Sequence, residues 1–344
     1  MPARSGACWS RPGGLLLGAA ADAVLGDPAR GHPVAGFGAV ATALERRWHR
    51  DARLAGVAYA AVLVGSTVGL GAAVERAAAA RPLVHTLLTA AATWAVLGGT
   101  SLTRHGSALA GELDAGDLPA ARDRLPSLCG RDPAALDTAG LARAGTESMA
   151  ENTSDAVVAP VLWGALAGVP GLLGYRAVNT LDAMVGHRSP RHLRFGWAAA
   201  RLDDLANLVP ARVAAALFAG LAPVVGGSPG QAVAAWRRDA MAHPSPNAGP
   251  VEAAVAGALG VTLGGRTVYP YGVDERPRLG TGAVPTAGDL RRAVRLSRAV
   301  QVAAVVAGAT AALMGPRARR RRARAAAPRG RRRAGRGAGA ARGG

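Results

Sequence analysis

The sequence predicts an all-α, polytopic integral membrane protein with several transmembrane helices, some of them broken or re-entrant. Three observations carry that fold class. Five runs are free of charge, 54–74, 82–103, 156–175, 213–236 and 299–316, with lengths of 21, 22, 20, 24 and 18 residues. A hydrocarbon core about 30 Å thick needs about 20 apolar residues of helix, so these runs have the length to cross. Half of the residues are hydrophobic, yet only 4% are aromatic and 47 are glycine. That is the composition of small-residue helices in close contact. Finally, two of the runs carry helix-breaking residues, which membrane proteins tolerate where the backbone is buried in protein or lines a cavity.

Taken in order, the elements read as follows. Arg4 and Arg11 ahead of GGLLLGAAA imitate a signal peptide. The apolar stretch is short and a polar motif follows it, so this segment is expected to stay in the working protein. Runs 54–74 and 82–103, joined by ERAAAAR, form a transmembrane hairpin. Residues 104–155 are polar and mostly helical. Pro160 and Pro170 interrupt the third run, and Pro223, Gly226, Gly227, Pro229 and Gly230 the fourth. The 13-residue apolar segment 253–265 is too short to cross and reads as an interfacial or buried helix. Residues 1–316 are expected to make one membrane-embedded domain. Residues 317–344 form an Arg/Ala/Gly tail expected to be disordered.

Charge and composition exclude several functions. The net charge is +19, and all 41 basic residues are arginine because the chain has no lysine. Without lysine there is no P-loop and no Schiff-base chemistry. Any phosphate must be held by arginine, backbone amides or a metal ion. Two cysteines, Cys8 and Cys129, make neither a disulfide scaffold nor a cysteine zinc site. The tail holds 12 arginines and no acid, leaving +7 on residues 1–316 (29 − 22). Following an apolar run, it suits anionic lipid headgroups better than nucleic acid.

Four polar clusters could carry chemistry. On a helix, Glu147, Glu151 and Asp155 share one face, with Asn152 beside them, and such stacked acids invite a hard cation such as magnesium. A solvated helix face would look similar. Asn179, Asp182, His187, Arg188, Arg201, Asp203, Asp204, Asn207 and Arg212 form the second cluster, a candidate metal–phosphate platform or a salt-bridge network. His187 and His192 lack metal-ligand spacing and could be ordinary loop histidines. His243, Ser245 and Asn247 lie in a proline-stiffened turn, with no nucleophile elbow around Ser245. Asp22, Asp27 and His32 form a polar loop near the first hydrophobic stretch.

The strings DAVLGDPARGHPV, ESMAENTSDAVVAPVLWGALAG, AVNTLDAMVGHRSPRHLRFGWAAARLDDLANLVPAR and HPSPNAGPVEAAVAGALGVTLGG resemble the signature blocks of the CobD/CbiB family. Those are integral membrane proteins of cobalamin biosynthesis, and the likeness runs in order from about Asp22 to Val300. It implies adenosylcobinamide-phosphate synthase activity. In that ATP-driven reaction a propionate of adenosylcobyric acid is amidated by (R)-1-amino-2-propanol or its O-phosphate. ATP and Mg2+ are then the expected co-substrate and metal, with no bound organic cofactor. On that basis Glu151, Asp155, Asp203 and Asp204 are expected to hold the metal, with Glu147 assisting at the phosphates. Arg188, Arg201 and Arg212 would face phosphate or substrate carboxylate. His187, His243 or His32 would be the base. Asn152, Asn179, Asn207 and Asn247 would orient substrate, and Asp22, Asp27, Asp182 and Ser245 would complete its binding. The expected partners are the two substrates, the lipid bilayer and other membrane enzymes of the corrinoid pathway, with no nucleic acid. A membrane prenyltransferase using an Asp/Asn–Mg site, or a transporter, is the competing function.

The expected location is the cell membrane, with the site loops and the tail both cytoplasmic. Five crossings would separate residues 147–155 from 203–207. At least one run, 156–175 by its prolines, is therefore expected to be re-entrant or not to span.

Overall fold

The structure is a computed structural model that describes residues 9–28, 31–187, 189–269 and 272–326. Thirteen α-helices occur among them. They are α1 (Ser10–Leu25), α2 (Pro33–Trp48), α3 (Arg53–Ala78), α4 (Pro82–Val96), α5 (Gly99–Asp114), α6 (Leu118–Arg124), α7 (Thr138–Thr153), α8 (Ala159–Ala167), α9 (Val169–Leu181), α10 (Trp197–Gly220), α11 (Pro229–Asp239), α12 (Ala248–Leu259) and α13 (Ala287–Ala326). Between α12 and α13 lies one antiparallel hairpin of β1 (Leu263–Tyr269) and β2 (Gly272–Leu279).

Three helical stretches are long and apolar enough to cross a membrane: Arg53–Ala78, Pro82–Asp114 and Ala287–Gly315. Their apolar windows are only 22%, 28% and 39% buried. Leu54, Leu70, Leu83, Leu87, Val302 and Val306 point outward. A soluble protein would bury such faces, whereas lipid accepts them. Run 82–103 is the second arm of the expected hairpin, but α4 stops at Val96 and α5 resumes after a break at Leu97–Gly98. Runs 156–175 and 213–236 each fall across broken elements and not within one long apolar helix. The third run contains the end of a π turn, α8 and the start of α9; the fourth contains the end of α10, a 3-10 turn at Ala222–Val225 and the start of α11. Segment 253–265 resolves as a buried helix, since every residue of α12 is buried, followed by the unforeseen β1.

Local chemistry explains the breaks. Gly168 adopts φ 69°, a left-handed conformation closed to most side chains, and ends α8. Pro170 then opens α9, where its missing N–H goes unnoticed. Pro210 sits inside α10 without ending it. Its missing N–H would leave the Ala206 carbonyl unpaired, and the Trp163 indole N–H of α8 donates there instead at 3.0 Å. α1 meets α4 through small residues. A methyl group at Gly14 or Gly18 would collide with Thr89 or Thr93. Those threonine hydroxyls bond back to the His85 and Thr89 carbonyls, so the close approach leaves no polar group bare. α1 is thus an integral part of the bundle.

The largest core joins α5, α6, α7, the second half of α10, α11, α12, the hairpin and the first half of α13. This core is the head of the molecule, and through α5 and α13 it is continuous with two of the candidate spans. Two contacts fix the orientation of α13. Gln301 reaches the Gly99 carbonyl beside the head, whereas Ala312 packs with Leu15, Ala165 and Leu172. Arg11, one turn before Leu15, pairs with Glu75 at 2.6 Å and marks the far end of the bundle. α13 therefore runs from the head toward the Arg11–Glu75 end of the bundle, and the arginine segment continues from that end. α13 also continues as helix through Ala326, into the segment expected to be disordered. Residues 327–344 lie outside the described residues.

Candidate functional site

One polar cavity of about 700 Å3 opens where the head meets the membrane helices. Its volume lies in the range of small-molecule sites. Three of the four polar clusters converge on it. Glu151, Ser154 and Asp155 come from α7 and the π turn Ser154–Val158, and Asp182 and His187 from the π turn Asp182–Gly186 and the residue after it. Arg201, Asp203, Asp204 and Asn207 come from α10, and His243, Ser245 and Asn247 from the proline-rich turn. Each π turn carries one cavity carboxylate near its start. The extra residue in such a turn re-aims the side chain, and π turns gather at functional sites.

Asn179 ties two of these acids together. Its Nδ2 donates to Asp155 Oδ2 at 3.3 Å and to Asp203 Oδ1 at 3.4 Å. Asn207 donates to the other oxygen of Asp203 at 3.0 Å and accepts from the Tyr175 hydroxyl at 2.9 Å. Crowded carboxylates resist ionisation. Burial, with Asp203 and Asp204 close by, pushes Asp182 up to about 7. Burial also raises Asp203 to about 6, against the opposing hydrogen bonds from Asn207 and Asn179. Asp155 lies well above the usual carboxylate range, through burial and then through Asp203.

Among the described residues no three His, Cys, Asp or Glu side chains converge closely enough to hold a metal ion by themselves. The donor set nonetheless fits magnesium bound with phosphates. That ion keeps several waters and takes only one or two carboxylates when phosphate supplies the rest. Asp155 and Asp203, sharing one amide, are the pair suited to it. Glu151 and Asp204 lie on the same wall, and Asp204 is also held by Arg201 at 3.3 Å.

Other candidate residues stand elsewhere. Glu147 does not line the cavity: it pairs with buried Arg131 and accepts from the Gly264 amide at 2.7 Å. Arg143 donates to the carbonyls of Gly264 and Arg266. Together these residues clamp the hairpin onto α7, so Glu147 has a structural partner in place of a phosphate. Asn152 bonds to the Leu128 carbonyl and Ser148, also outside the cavity. Arg212 supports the turn by donating to Asn247 Oδ1 at 3.0 Å. Ser245 Oγ accepts from the Asn247 and Ala248 amides, as a turn hydroxyl does. The fourth cluster is not part of this cavity. Asp22 accepts from the Thr100 amide and hydroxyl, and His32 caps α2 by accepting from the Val34 amide at 3.1 Å. Asp27 lies 3.7 Å from His32 Nε2. Arg188 lies outside the described residues.

The structure adds residues that the sequence did not single out. Arg276 and Asp274 of β2 line the cavity. Arg276 donates to the Tyr269 hydroxyl at 2.6 Å and lies 3.9 Å from Glu252. Glu252 is fully buried in α12, and neither of its oxygens has a hydrogen-bond partner among the described residues. A lone acid inside an otherwise apolar helix was the signal that could have found it. Arg276 gave no such signal, because the hairpin itself was not foreseen.

Comparison with known proteins agrees with this arrangement. The model of the CobD/Cbib protein family matches residues 15–297. The chain is 59% identical over 297 residues to "Cobalamin biosynthesis protein CobD" of Mycobacterium tuberculosis, covering 86% of this chain and 94% of that protein. A protein of the same name from Rhodobacter capsulatus is 46% identical over 273 residues, covering 78% and 85%. That of Chromobacterium violaceum is 42% identical over 314 residues, covering 88% and 96%. No solved structure matches the chain. With the family model covering most of its length and such relatives along nearly their full length, this chain belongs to the CobD/CbiB family of cobalamin biosynthesis.

Proposed function

We propose that the protein is the amide-forming ligase of this family, joining adenosylcobyric acid to (R)-1-amino-2-propanol or its O-phosphate at the expense of ATP. The observation that carries the proposal is the meeting of paired carboxylates and arginines in one cavity at the head end of the bundle. A carboxylate and an amine do not condense in water unassisted. In the proposed course a propionate oxygen attacks the γ-phosphorus of ATP and ADP leaves. The amine nitrogen then attacks the acyl phosphate carbon, and inorganic phosphate leaves while the nitrogen loses a proton. Asp155 and Asp203 would hold Mg2+, which when bound neutralises phosphate charge and orients the nucleotide. Arg201 and Arg276 face the anionic groups, a task that falls to arginine in a chain without lysine. Asn207 and Asn247 orient substrate. The head with this cavity is assigned to the cytoplasmic side of the cell membrane, where ATP is available.

Mass spectrometry of adenosylcobyric acid incubated with protein, ATP, Mg2+ and aminopropanol or its phosphate tests the reading. The expected result is an amide product formed only with ATP. Diphosphate release from an isoprenoid donor without ATP would point to prenyl transfer. Uptake into vesicles without covalent change would point to transport.

A further inference from the structure

Amide formation requires a base, because aminopropanol is an ammonium ion at neutral pH and must lose protons to become a nucleophile and then an amide. Three histidines were candidates, and their hydrogen bonds separate them. The Ser245 amide lies 3.1 Å from His243 Nδ1. The Ser245 carbonyl lies 3.3 Å from the same Nδ1, so the Ser245 backbone engages that nitrogen in either tautomer, while Nε2 is buried and faces Glu252 at 4.0 Å. His32 Nδ1 is likewise occupied by the Val34 amide, and the ring is not in the cavity wall. His187 is different. It lines the cavity, and among the described residues its ring makes one hydrogen bond, from Nε2 to His192 Nδ1 at 3.2 Å. His192 Nε2 in turn meets Glu45 Oε1 of α2 at 3.0 Å.

The carboxylate at the end of this chain fixes every proton in it. Glu45 is held ionised: burial raises it, but hydrogen bonds from His192 and Arg191 outweigh this and bring it below its usual value. It can therefore only accept, so His192 carries its proton on Nε2 and presents a lone pair at Nδ1. The Ser189 hydroxyl also lies 3.2 Å from that Nδ1, and for His187 Nε2, equally at 3.2 Å, to be bonded there and not repelled it must donate. Its own lone pair is left on Nδ1, with no hydrogen-bond partner among the described residues. The logic is that of a carboxylate orienting a catalytic imidazole through a fixed tautomer, extended by one ring.

We propose that His187 Nδ1 is the general base that takes the amine proton, and that His192 and Glu45 are positioning residues that set its tautomer and stabilise the imidazolium formed. This rests on the amidation reading above. The proton leaves the nitrogen for Nδ1 of His187, and its charge is shared through His192 with the Glu45 carboxylate, which stays ionised. The base itself is neutral beforehand, because burial lowers its affinity for protons.

The test uses the full-length protein in lipid nanodiscs, with kcat and KM measured for the amine. General-base catalysis contributes roughly 100-fold or more, so His187→Ala should lower kcat by about that factor at pH 7 with KM for the amine little changed. The deficit should shrink as pH is raised and the amine deprotonates in solution. Glu45→Gln and His192→Phe should each lower kcat by about 10-fold, with Glu45→Asp recovering much of the loss. Glu45→Gln should have no further effect in the His187→Ala background. A pH-independent deficit, unchanged kcat in His187→Ala, or equal Glu45→Gln effects with and without His187 would overturn the proposal. Should the Glu45 variants fail to fold, the His187→Ala rate and its pH dependence still decide. Should the unaltered protein form no amide at all, the amidation reading fails instead. The tautomer is then decided separately by 15N NMR of the histidines, where a proton on His187 Nδ1 would refute the positioning chain.

Discussion

Asp155 and Asp203 reach the same Asn179 amide from different elements, and that shared contact sets the spacing of the two carboxylates. Removing the amide or one charge should therefore disable the site without unfolding the protein. Asn179→Ala and Asp203→Asn are each expected to lower ATP-dependent amide formation by about 100-fold. Their thermal transitions should stay close to that of the unaltered protein, and normal turnover in both would remove this pair from the mechanism. Asp182 gives a pH prediction. Its folded value of about 7 lies above the ordinary carboxylate value of about 4. The folded state therefore holds this proton more tightly. The associated stability is complete below about pH 4 and is lost as pH rises through 7. Without substrate or metal, the melting temperature should fall between pH 5 and pH 8. Asp182→Asn should flatten that fall and be relatively stabilising at pH 8, and an unchanged slope in differential scanning fluorimetry would contradict the assignment. The sequence showed most of these polar residues because acids and amides beside apolar runs stand out. It did not show that Glu147 faces Arg131, because an i, i+4, i+8 row assumes one uninterrupted helix. The π turn at Ser154–Val158 ends that regularity and turns Asp155 away from the row.

At the scale of the element, the breaks were legible and their repair was not. Pro170 and the glycine before Val169 end one helix and begin another, as their backbone preferences require. Pro210 has the same chemistry, yet α10 continues, because Trp163 of another helix supplies the donor that proline lacks. Trp163→Phe should leave the Ala206 carbonyl unpaired and cost about 1–3 kcal/mol. In a Pro210→Ala background the new backbone N–H can reach that carbonyl, so the same Trp163→Phe change should cost less. Equal losses in the two backgrounds, measured by denaturant unfolding, would show that the indole contributes only packing. The hairpin was missed because β1 follows an apolar helix and β2 holds GVDERPRL, a charged strand with a proline. Its order comes from Arg143 and Glu147 gripping the bulge at Gly264, contacts made across more than a hundred residues of chain, with Arg131 paired to Glu147.

For the whole molecule, the route of α13 matters most. Its first half packs in the head and its second half runs along α1 and α8 to the Arg11–Glu75 end. A cavity at one end and an arginine segment at the other should lie on opposite sides of the membrane. Single cysteines at Ser245 and Gly330, in a protein lacking Cys8 and Cys129, test this. A membrane-impermeant thiol reagent added to one face should label one position and spare the other, whereas labelling of both from the same face would refute this route.

The sequence by itself determined that the chain is helical and membrane-bound, where its helices break, which polar segments matter and to which family it belongs. Hydropathy, proline and glycine act over a few residues, so a linear reading captures them. Only the tertiary structure decided that three of the four polar clusters share a cavity, that Asn179 joins Asp155 to Asp203, and which histidine keeps a free lone pair. Glu45 and His192 are 147 residues apart. Their hydrogen bond exists because α2 packs beside the end of α9, and no local pattern encodes a contact made by the packing of distant helices.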